Sequence, residues 1–377
     1  MKLKAISILF FILFSINFSN CASTGAGKTQ NKLPALKTVY ENYFLIGNII
    51  TRRYLDNHYF GLLKTHFNVV TAENQMKPDH LAPREKGGQY NFGPADELVD
   101  EILAHNIKVF GHTLVWHNQT HKWMTEGTPQ EIRNNMANHI NTVLNHFKGR
   151  VYAWDVVNEA IVERVNPGEQ SQDWRAYLRP ESGWNRANTN DMSYVEFAFR
   201  TARAADPDIF LYYNDYNLDS SRKATITANM IKDINDRYKA EGNTRNLIDG
   251  VGMQAHYGSN TSAPNVRASI EKFIAIGIRI DISELDVTIR SVGSGNFGTG
   301  RDSQVLDVDQ RTQAIKYAEL FKVFKEYGEH ITRVSMWGMD DELSWKSLGN
   351  PCLWDGFLNP KQAFWAVADP DKTLGIK

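Results

Sequence analysis

Val151-Tyr152-Ala153-Trp154-Asp155-Val156-Val157-Asn158-Glu159 is a β-type run that closes on an amide and a carboxylate, and Arg279-Ile280-Asp281-Ile282-Ser283-Glu284-Leu285-Asp286 repeats the pattern with two carboxylates at its end. A buried charge is expensive to desolvate unless it is paired or used, so apolar strands that carry Glu at the same end point to a use. If both runs lie in one parallel barrel, their carboxyl ends open on the same mouth, where a barrel enzyme keeps its chemistry. Glu159 and Glu284 are therefore read as a catalytic pair.

Outward from these two runs, β-type segments recur at 44–50, 67–74, 107–114, 209–215, 251–256 and 331–338, which makes eight strands in all. Helix-type stretches fall between them at 94–105, 129–147, 192–205, 220–240, 265–276 and 308–327, several opened by Pro, Ser or Asp as first-turn or capping residues. Such alternation argues for a parallel α/β fold, and eight strands with helices outside them predict a (β/α)8 TIM barrel. The strand ends gather Glu73 and Asn74, His112, Asn158 and Glu159, Asn214 and Asp215, Gln254 and His256, Glu284 and Asp286, and Trp337 at one rim. That asymmetry is what an active site at a barrel mouth requires. No internal repeat or linker divides residues 37–377, so a single catalytic domain is expected, with 291–300 as a long glycine-rich loop after the seventh strand.

The 377 residues carry 42 Lys+Arg against 43 Asp+Glu, and 42% are hydrophobic, enough for one core of barrel size. A net charge near zero gives no electrostatic footprint for a phosphate polymer, so nucleic acid is not expected as a partner. Nine Trp and fifteen Tyr suit a neutral ligand with flat apolar faces, such as a sugar chain, although most of them are expected in the core.

Residues 1–20 place Lys2 and Lys4 before an apolar run through Phe14 to Phe18, the build of a secretory signal and short for a membrane span. Export is expected. Cys21 follows directly, ahead of a flexible tether at 21–36, and the junction resembles that of a bacterial lipoprotein with an acylated first cysteine. Acylation of Cys21 would hold the protein at a membrane surface; ordinary cleavage nearby is the alternative. Cys352 would then be the remaining thiol, so no intrachain disulfide is expected.

The segments Glu73-Asn74-Gln75-Met76-Lys77, Gly111-His112-Thr113-Leu114-Val115-Trp116-His117, Trp154-Asp155-Val156-Val157-Asn158-Glu159-Ala160, Tyr213-Asn214-Asp215-Tyr216-Asn217, Gly252-Met253-Gln254-Ala255-His256, Ser283-Glu284-Leu285-Asp286 and Trp337-Gly338-Met339-Asp340 together resemble the family 10 glycoside hydrolases, the endo-1,4-β-xylanases. The resemblance runs from about residue 37 to about residue 370, in order, with each segment at the end of a predicted strand. It implies Glu159 as general acid/base and Glu284 as nucleophile of a retaining enzyme that cuts xylan without a cofactor. Cleaving a glycosidic bond needs a proton on the leaving oxygen and stabilisation of an oxocarbenium-like centre, and a nucleophilic carboxylate supplies the second as a covalent glycosyl ester. Two neighbouring carboxyls cannot both ionise easily, so Glu159 is expected to hold its proton while Glu284 stays charged.

On the same resemblance, Asn158 bonds the 2-hydroxyl of the sugar being cleaved, His256 and Asp286 support the nucleophile, and Gln254 reaches the same subsite. Glu73, Asn74, Lys77, His112 and Trp116 resemble the floor of the two glycone subsites. Trp337 and Trp345 resemble their walls, with Trp345 filling the space where a hexose carries its hydroxymethyl group. Tyr216 resembles a stacking residue for the leaving group. Taken singly, His256 and Asp286 fit a satisfied core, and each Trp fits the core as well as a sugar wall.

Three further patterns are rejected. Gly25-Ala26-Gly27-Lys28-Thr29 imitates the end of a phosphate loop, but Ala22 stands where the first glycine belongs. Gly293-Ser294-Gly295-Asn296-Phe297-Gly298 matches a dinucleotide fingerprint in letters only, since it starts beyond its strand and opens no helix. His112, His117 and His121 have spacings that could suit zinc, yet His112 ends a strand and the segment is no clear helix, so no metal is expected. The expected partner is xylan or xylo-oligosaccharide, and a monomer is expected. The alternatives are a barrel glycosidase for β-glucan or short xylo-oligosaccharides, and a non-catalytic surface protein that binds xylan.

Overall fold

The computed structural model describes residues 33–162, 173–289 and 306–376. Cys21 with the expected signal and most of the tether, and the glycine-rich stretch 291–300, lie outside them. Residues Pro34–Lys377 make up the unit that holds the barrel.

Nine strands appear among the described residues: β1 (Leu45–Ile50), β2 (Val69–Ala72), β3 (Lys108–Trp116), β4 (Ala153–Asn158), β5 (Phe210–Asp215), β6 (Gly250–Met253), β7 (His256–Gly258), β8 (Arg279–Thr288) and β9 (Ile331–Met336). All their pairings are parallel, and β1 with β9 and β6 with β8 close a ring of eight, β1-β2-β3-β4-β5-β6-β8-β9. The ring is the expected TIM barrel. Strand β7 stands outside it and pairs only with the far half of β8, His256 opposite Asp286. The sixth run, expected as one strand at 251–256, is thus broken at Gln254-Ala255, where Ala255 takes a left-handed φ of 59°.

The helices are α1 (Leu36–Val39), α2 (Asn57–His66), α3 (Pro78–Leu81), α4 (Gly93–Ala104), α5 (Pro129–Phe147), α6 (Tyr194–Ala205), α7 (Ser221–Ala240), α8 (Ala263–Ala275), α9 (Asp307–Glu326), α10 (Gln362–Ala368) and α11 (Pro370–Thr373). Helix α5 shows why the sequence forms them: Thr128 and Glu131 make a reciprocal capping box, Pro129 supplies the first turn, and Ile132, Met136, Ile140, Val143, Leu144 and Phe147 form the buried stripe. Helix α2 was not among the helical stretches read from the sequence; it is capped by the side chain of Asp56 and buries little beyond Phe60, Leu63 and His66. None of the described helices is long and apolar enough to cross a membrane.

Alternation along the strands sorts the two faces of the barrel wall. Trp154 turns outward to Phe147 of α5, with ring centroids 5.9 Å apart, while Asp155 turns inward to His112. Trp154 lies flat across β3 because Gly111 is there: a Cβ on Gly111 would stand 2.2 Å from the indole. Inside, Phe110 and Tyr212 pack at 5.4 Å, and two residues further along the same strands come His112 and Asn214, which face the mouth.

Candidate active site

The residues at the carboxyl ends of the strands converge on two carboxyl groups. Glu159 follows β4 directly, its N–H continuing the ladder to the carbonyl of Asn214 at 2.8 Å and its φ left-handed at 58°. Its Oε2 accepts from Trp116 Nε1 at 2.9 Å, and its Oε1 from Gln254 Nε2 at 3.0 Å and Asn158 Nδ2 at 3.2 Å. Glu284 sits mid-way along β8, where the register shifts between Ile282 and Leu285. Its Oε1 accepts from Asn214 Nδ2 at 2.7 Å and its Oε2 faces His256 Nε2 at 3.1 Å.

Side-chain amides join the two. Asn214 Nδ2 also donates to Asn158 Oδ1 at 3.0 Å, and Gln254 Nε2 reaches the same oxygen at 3.2 Å. The strands between β4 and β8 in the ring are β5 and β6, and each contributes one of these amides, Asn214 next to the last residue of β5 and Gln254 following β6. Ser283 Oγ donates to Asn214 Oδ1 at 2.6 Å, which fixes which end of that amide points at Glu284. Asn214 stands at the polar end of its run in the sequence without a role there; the β4–β5 register, which sets it beside Asn158, supplies one.

His256, carried by β7, donates from Nδ1 to Asp286 Oδ2 at 2.8 Å, so the imidazole bridges Asp286 and Glu284. Trp345 Nε1 donates to the same Asp286 oxygen at 2.9 Å, and its ring lies 4.7 Å from that of His256. Trp337 is buried edge-on to both His112, at 5.6 Å, and His256, at 6.5 Å. On the other side, Lys77 Nζ bonds Asn74 Oδ1 and Gln119 Oε1, each at 3.0 Å, and stands 5.2 Å from the ring of Trp116. Glu73 lies within electrostatic reach of Lys77. Beyond Gln119 opens a hollow of about 700 Å³ whose lining includes Asp79, His80, Arg84, Gln89 and Asn91. Tyr216 follows β5, its hydroxyl bonded to Arg179 at 2.9 Å and its ring 4.1 Å from Lys223 Nζ. The barrel thus brings Glu73, Asn74, Lys77, His112, Trp116, Asn158, Gln254, Trp337 and Trp345 around the two carboxyls, with Tyr216 linked to them through Arg179, whose Nε reaches the carbonyl of Glu159. Arg179 comes from the connection after β4 and was not foreseen.

The same contacts divide the charge. Burial pushes the proton affinity of Glu159 up, the donors Gln254 and Trp116 oppose this, and Asp215 and Glu284 reinforce it. The leading cause is thus desolvation rather than the neighbouring carboxylate expected from sequence. Burial would raise Glu284 as well, but His256, His112 and Asn214 outweigh it and hold the group below the ordinary glutamate range. Burial pushes His256 down, yet Asp286 and Glu284 overcome this and raise its affinity for a second proton. Lys77 is lowered by burial against the pull of Glu284, Glu73 and Glu159. Two carboxyls with opposite proton preference at one mouth can deliver a proton and a nucleophile together. Among the described residues no cluster of three His, Cys, Asp or Glu is arranged to hold a metal ion.

Comparison with known proteins follows the same line. The family model for glycosyl hydrolase family 10 matches residues 35–370. Endo-1,4-beta-xylanase A of Thermotoga maritima is 35% identical over 355 residues, which cover 91% of this chain and 31% of that protein, so the chain spans about a third of that relative's length. Beta-1,4-xylanase of Dictyoglomus thermophilum is 35% identical over 370 residues, 96% of each chain. The xylanase TsXylA of Thermoanaerobacterium saccharolyticum, solved as a mutant in complex with xylotriose, superposes with a TM-score of 0.75 at 33% identity, covering 90% of this chain and 99% of that one. On its fold, its mouth and these matches, this chain belongs to glycosyl hydrolase family 10.

Proposed function

We propose that the enzyme is a retaining endo-1,4-β-xylanase in which Glu159 is the acid/base and Glu284 the nucleophile. The observation that carries this is the opposite proton preference of the two carboxyls, Glu159 raised and Glu284 lowered, across a bridge of only two amides. In the first step Glu284 Oε attacks the anomeric carbon, the bond to the leaving oxygen breaks, and the Glu159 proton moves to that oxygen. In the second step Glu159, now a carboxylate, takes a proton from water, whose oxygen displaces Glu284 and restores the original configuration. In this reading Asn158, which lies between the two, bonds the 2-hydroxyl, and Glu73, Asn74, Lys77, His112 and Trp116 hold the glycone. The xylanase names of the relatives and the xylotriose complex of one support a xylan substrate.

Two variants test the roles. Glu284→Ala is expected to lose turnover on every glycoside, because no glycosyl ester forms. Glu159→Ala is expected to release a burst of phenol from a dinitrophenyl xylobioside and then turn over slowly, since a good leaving group needs little protonation while the water step lacks its base. Azide, a nucleophile that needs no base, should accelerate that slow step and yield a β-glycosyl azide. An α-azide, or equal β-azide rescue of Glu284→Ala, overturns the assignment, and faster release of reducing sugar from β-glucan than from linear xylan overturns the substrate.

A further inference from the structure

Glu159 occupies a left-handed backbone conformation, φ 58°, which is strained for a non-glycine residue and must be imposed by its surroundings. The groups that impose it sit behind the carboxyl. The carbonyl of Glu159 accepts from Arg179 Nε at 3.1 Å, and the next two N–H groups, of Ala160 and Ile161, both donate to the hydroxyl oxygen of Tyr213, at 3.0 and 3.1 Å. That hydroxyl gives its own proton to Asp215 Oδ2 at 2.5 Å. A phenol has one proton and two lone pairs, so Tyr213 is fully engaged, and its direction is set by Asp215. Asp215 in turn is fixed on its other oxygen by Lys223 Nζ at 2.7 Å and the N–H of Tyr216 at 2.9 Å, in a pair that is almost fully buried. Arg179 closes the arrangement by bonding the Tyr216 hydroxyl, and its own N–H donates to the carbonyl of Ala160 at 2.7 Å.

The nucleophile is held by contacts that Tyr213 and Arg179 do not make: Asn214 and His256 bond its carboxylate, and its N–H donates to the carbonyl of Gln254 at 3.0 Å. Loss of the Tyr213 or Arg179 contacts therefore acts directly on the Glu159 turn, while Glu284 keeps both partners of its carboxylate. We propose that Tyr213, oriented by the Asp215–Lys223 pair, and Arg179 are positioning residues that hold the Glu159 turn so that its carboxyl meets the glycosidic oxygen. The proposal rests on the acid/base reading of Glu159. Through its bond to Tyr216, Arg179 also ties that turn to the residue expected under the leaving group.

A misplaced acid harms only those substrates that need its proton, whereas general damage harms all alike. The test is kcat/KM, which reports the first irreversible step, on phenyl and 2,4-dinitrophenyl β-xylobiosides. Tyr213→Phe is expected to lower the value for the phenyl substrate by about tenfold or more and to leave the dinitrophenyl value within about twofold. Arg179→Lys, which keeps the charge and loses the planar two-point hold, is expected to show the same split and serves if Tyr213→Phe does not fold. Equal losses on both substrates, or no loss on either, overturn the proposal. Glu159→Ala separates it from the reading beneath: a split there without one in Tyr213→Phe and Arg179→Lys sinks the positioning role alone, and equal losses in Glu159→Ala sink the acid/base assignment together with it.

Discussion

Asp286 serves three donors at once: His256 Nδ1 at 2.8 Å and Trp345 Nε1 at 2.9 Å on one oxygen, and Lys346 Nζ at 3.2 Å on the other. Burial would raise its proton affinity, but these neighbours depress it, so the carboxylate stays charged and keeps His256 inclined to carry a second proton. His256 passes that effect to Glu284, whose affinity it lowers. The sign of a substitution follows. Asp286→Asn removes the negative charge, His256 becomes harder to protonate, and Glu284, facing a neutral imidazole, becomes easier to protonate. On the proposed roles, the acid limb of kcat/KM against pH reports protonation of Glu284 in the free enzyme and should move to higher pH, while the alkaline limb, assigned to Glu159, stays. A limb that stays or moves to lower pH would show that Asp286 holds Trp345 and Lys346 in place without tuning Glu284.

The break in the sixth run shows how an element is reshaped to serve the site. With Gln254 and His256 in one regular strand, Ala255 would alternate with them across the barrel wall; its left-handed φ of 59° turns the chain so that Gln254 faces Glu159 while His256 pairs beside β8. Alanine is strained there, so Ala255→Gly is expected to raise stability by about 1 kcal/mol, and Ala255→Val, whose branched Cβ suits that region still less, to lower it. Denaturant midpoints check both, and a higher midpoint for valine than for glycine refutes the strain. This break also marks where sequence reading stops. The other seven strands and their polar ends were legible because composition and alternation are local, and the strand-end carboxyls stood out against apolar runs. The break at Ala255 was not, because nothing in Gly252-Met253-Gln254-Ala255-His256 demands a positive φ; neighbouring strands impose it. Helix α2 carries Asn57, His58, Lys64 and Thr65 around a thin apolar stripe, and so gave little periodic signal. Arg179 lies in a connection with no periodicity at all, and the amides of Asn214 and Gln254 acquire a joint role only when the ring sets β5 and β6 between β4 and β8.

At the scale of the whole barrel, one buried ion pair links strands that the sequence holds far apart. Arg333 of β9 bonds Asp281 of β8 through Nη2 at 2.6 Å and Nε at 3.0 Å, reaches Thr71 of β2 at 2.6 Å, and lies 3.7 Å from the ring centroid of Phe110 on β3. Both ions are almost wholly shielded from water, 1% and 0% exposed, so neither can be left alone cheaply. Burial even prevails over the attraction of Arg333 at Asp281, whose carboxyl is raised from 3.8 to about 6. A carboxyl raised in the folded state binds its proton more tightly there than in the unfolded chain. Its contribution to stability is therefore full below its unfolded value near 3.8 and is lost as pH rises through about 6. Arg333→Met strands Asp281 without a partner and is expected to cost about 3–5 kcal/mol near neutral pH. The cost should shrink as the medium is acidified, because protonation turns the stranded carboxylate into a neutral acid that the core tolerates. Denaturant midpoints of the wild type and Arg333→Met at pH 8 and pH 5 measure the difference, and acid-sensitive groups common to both cancel in it. The gap should narrow at pH 5; a gap that stays constant or widens would mean that the pair does not set the electrostatics of the barrel core, and that Arg333 acts there through its packing on Phe110 alone.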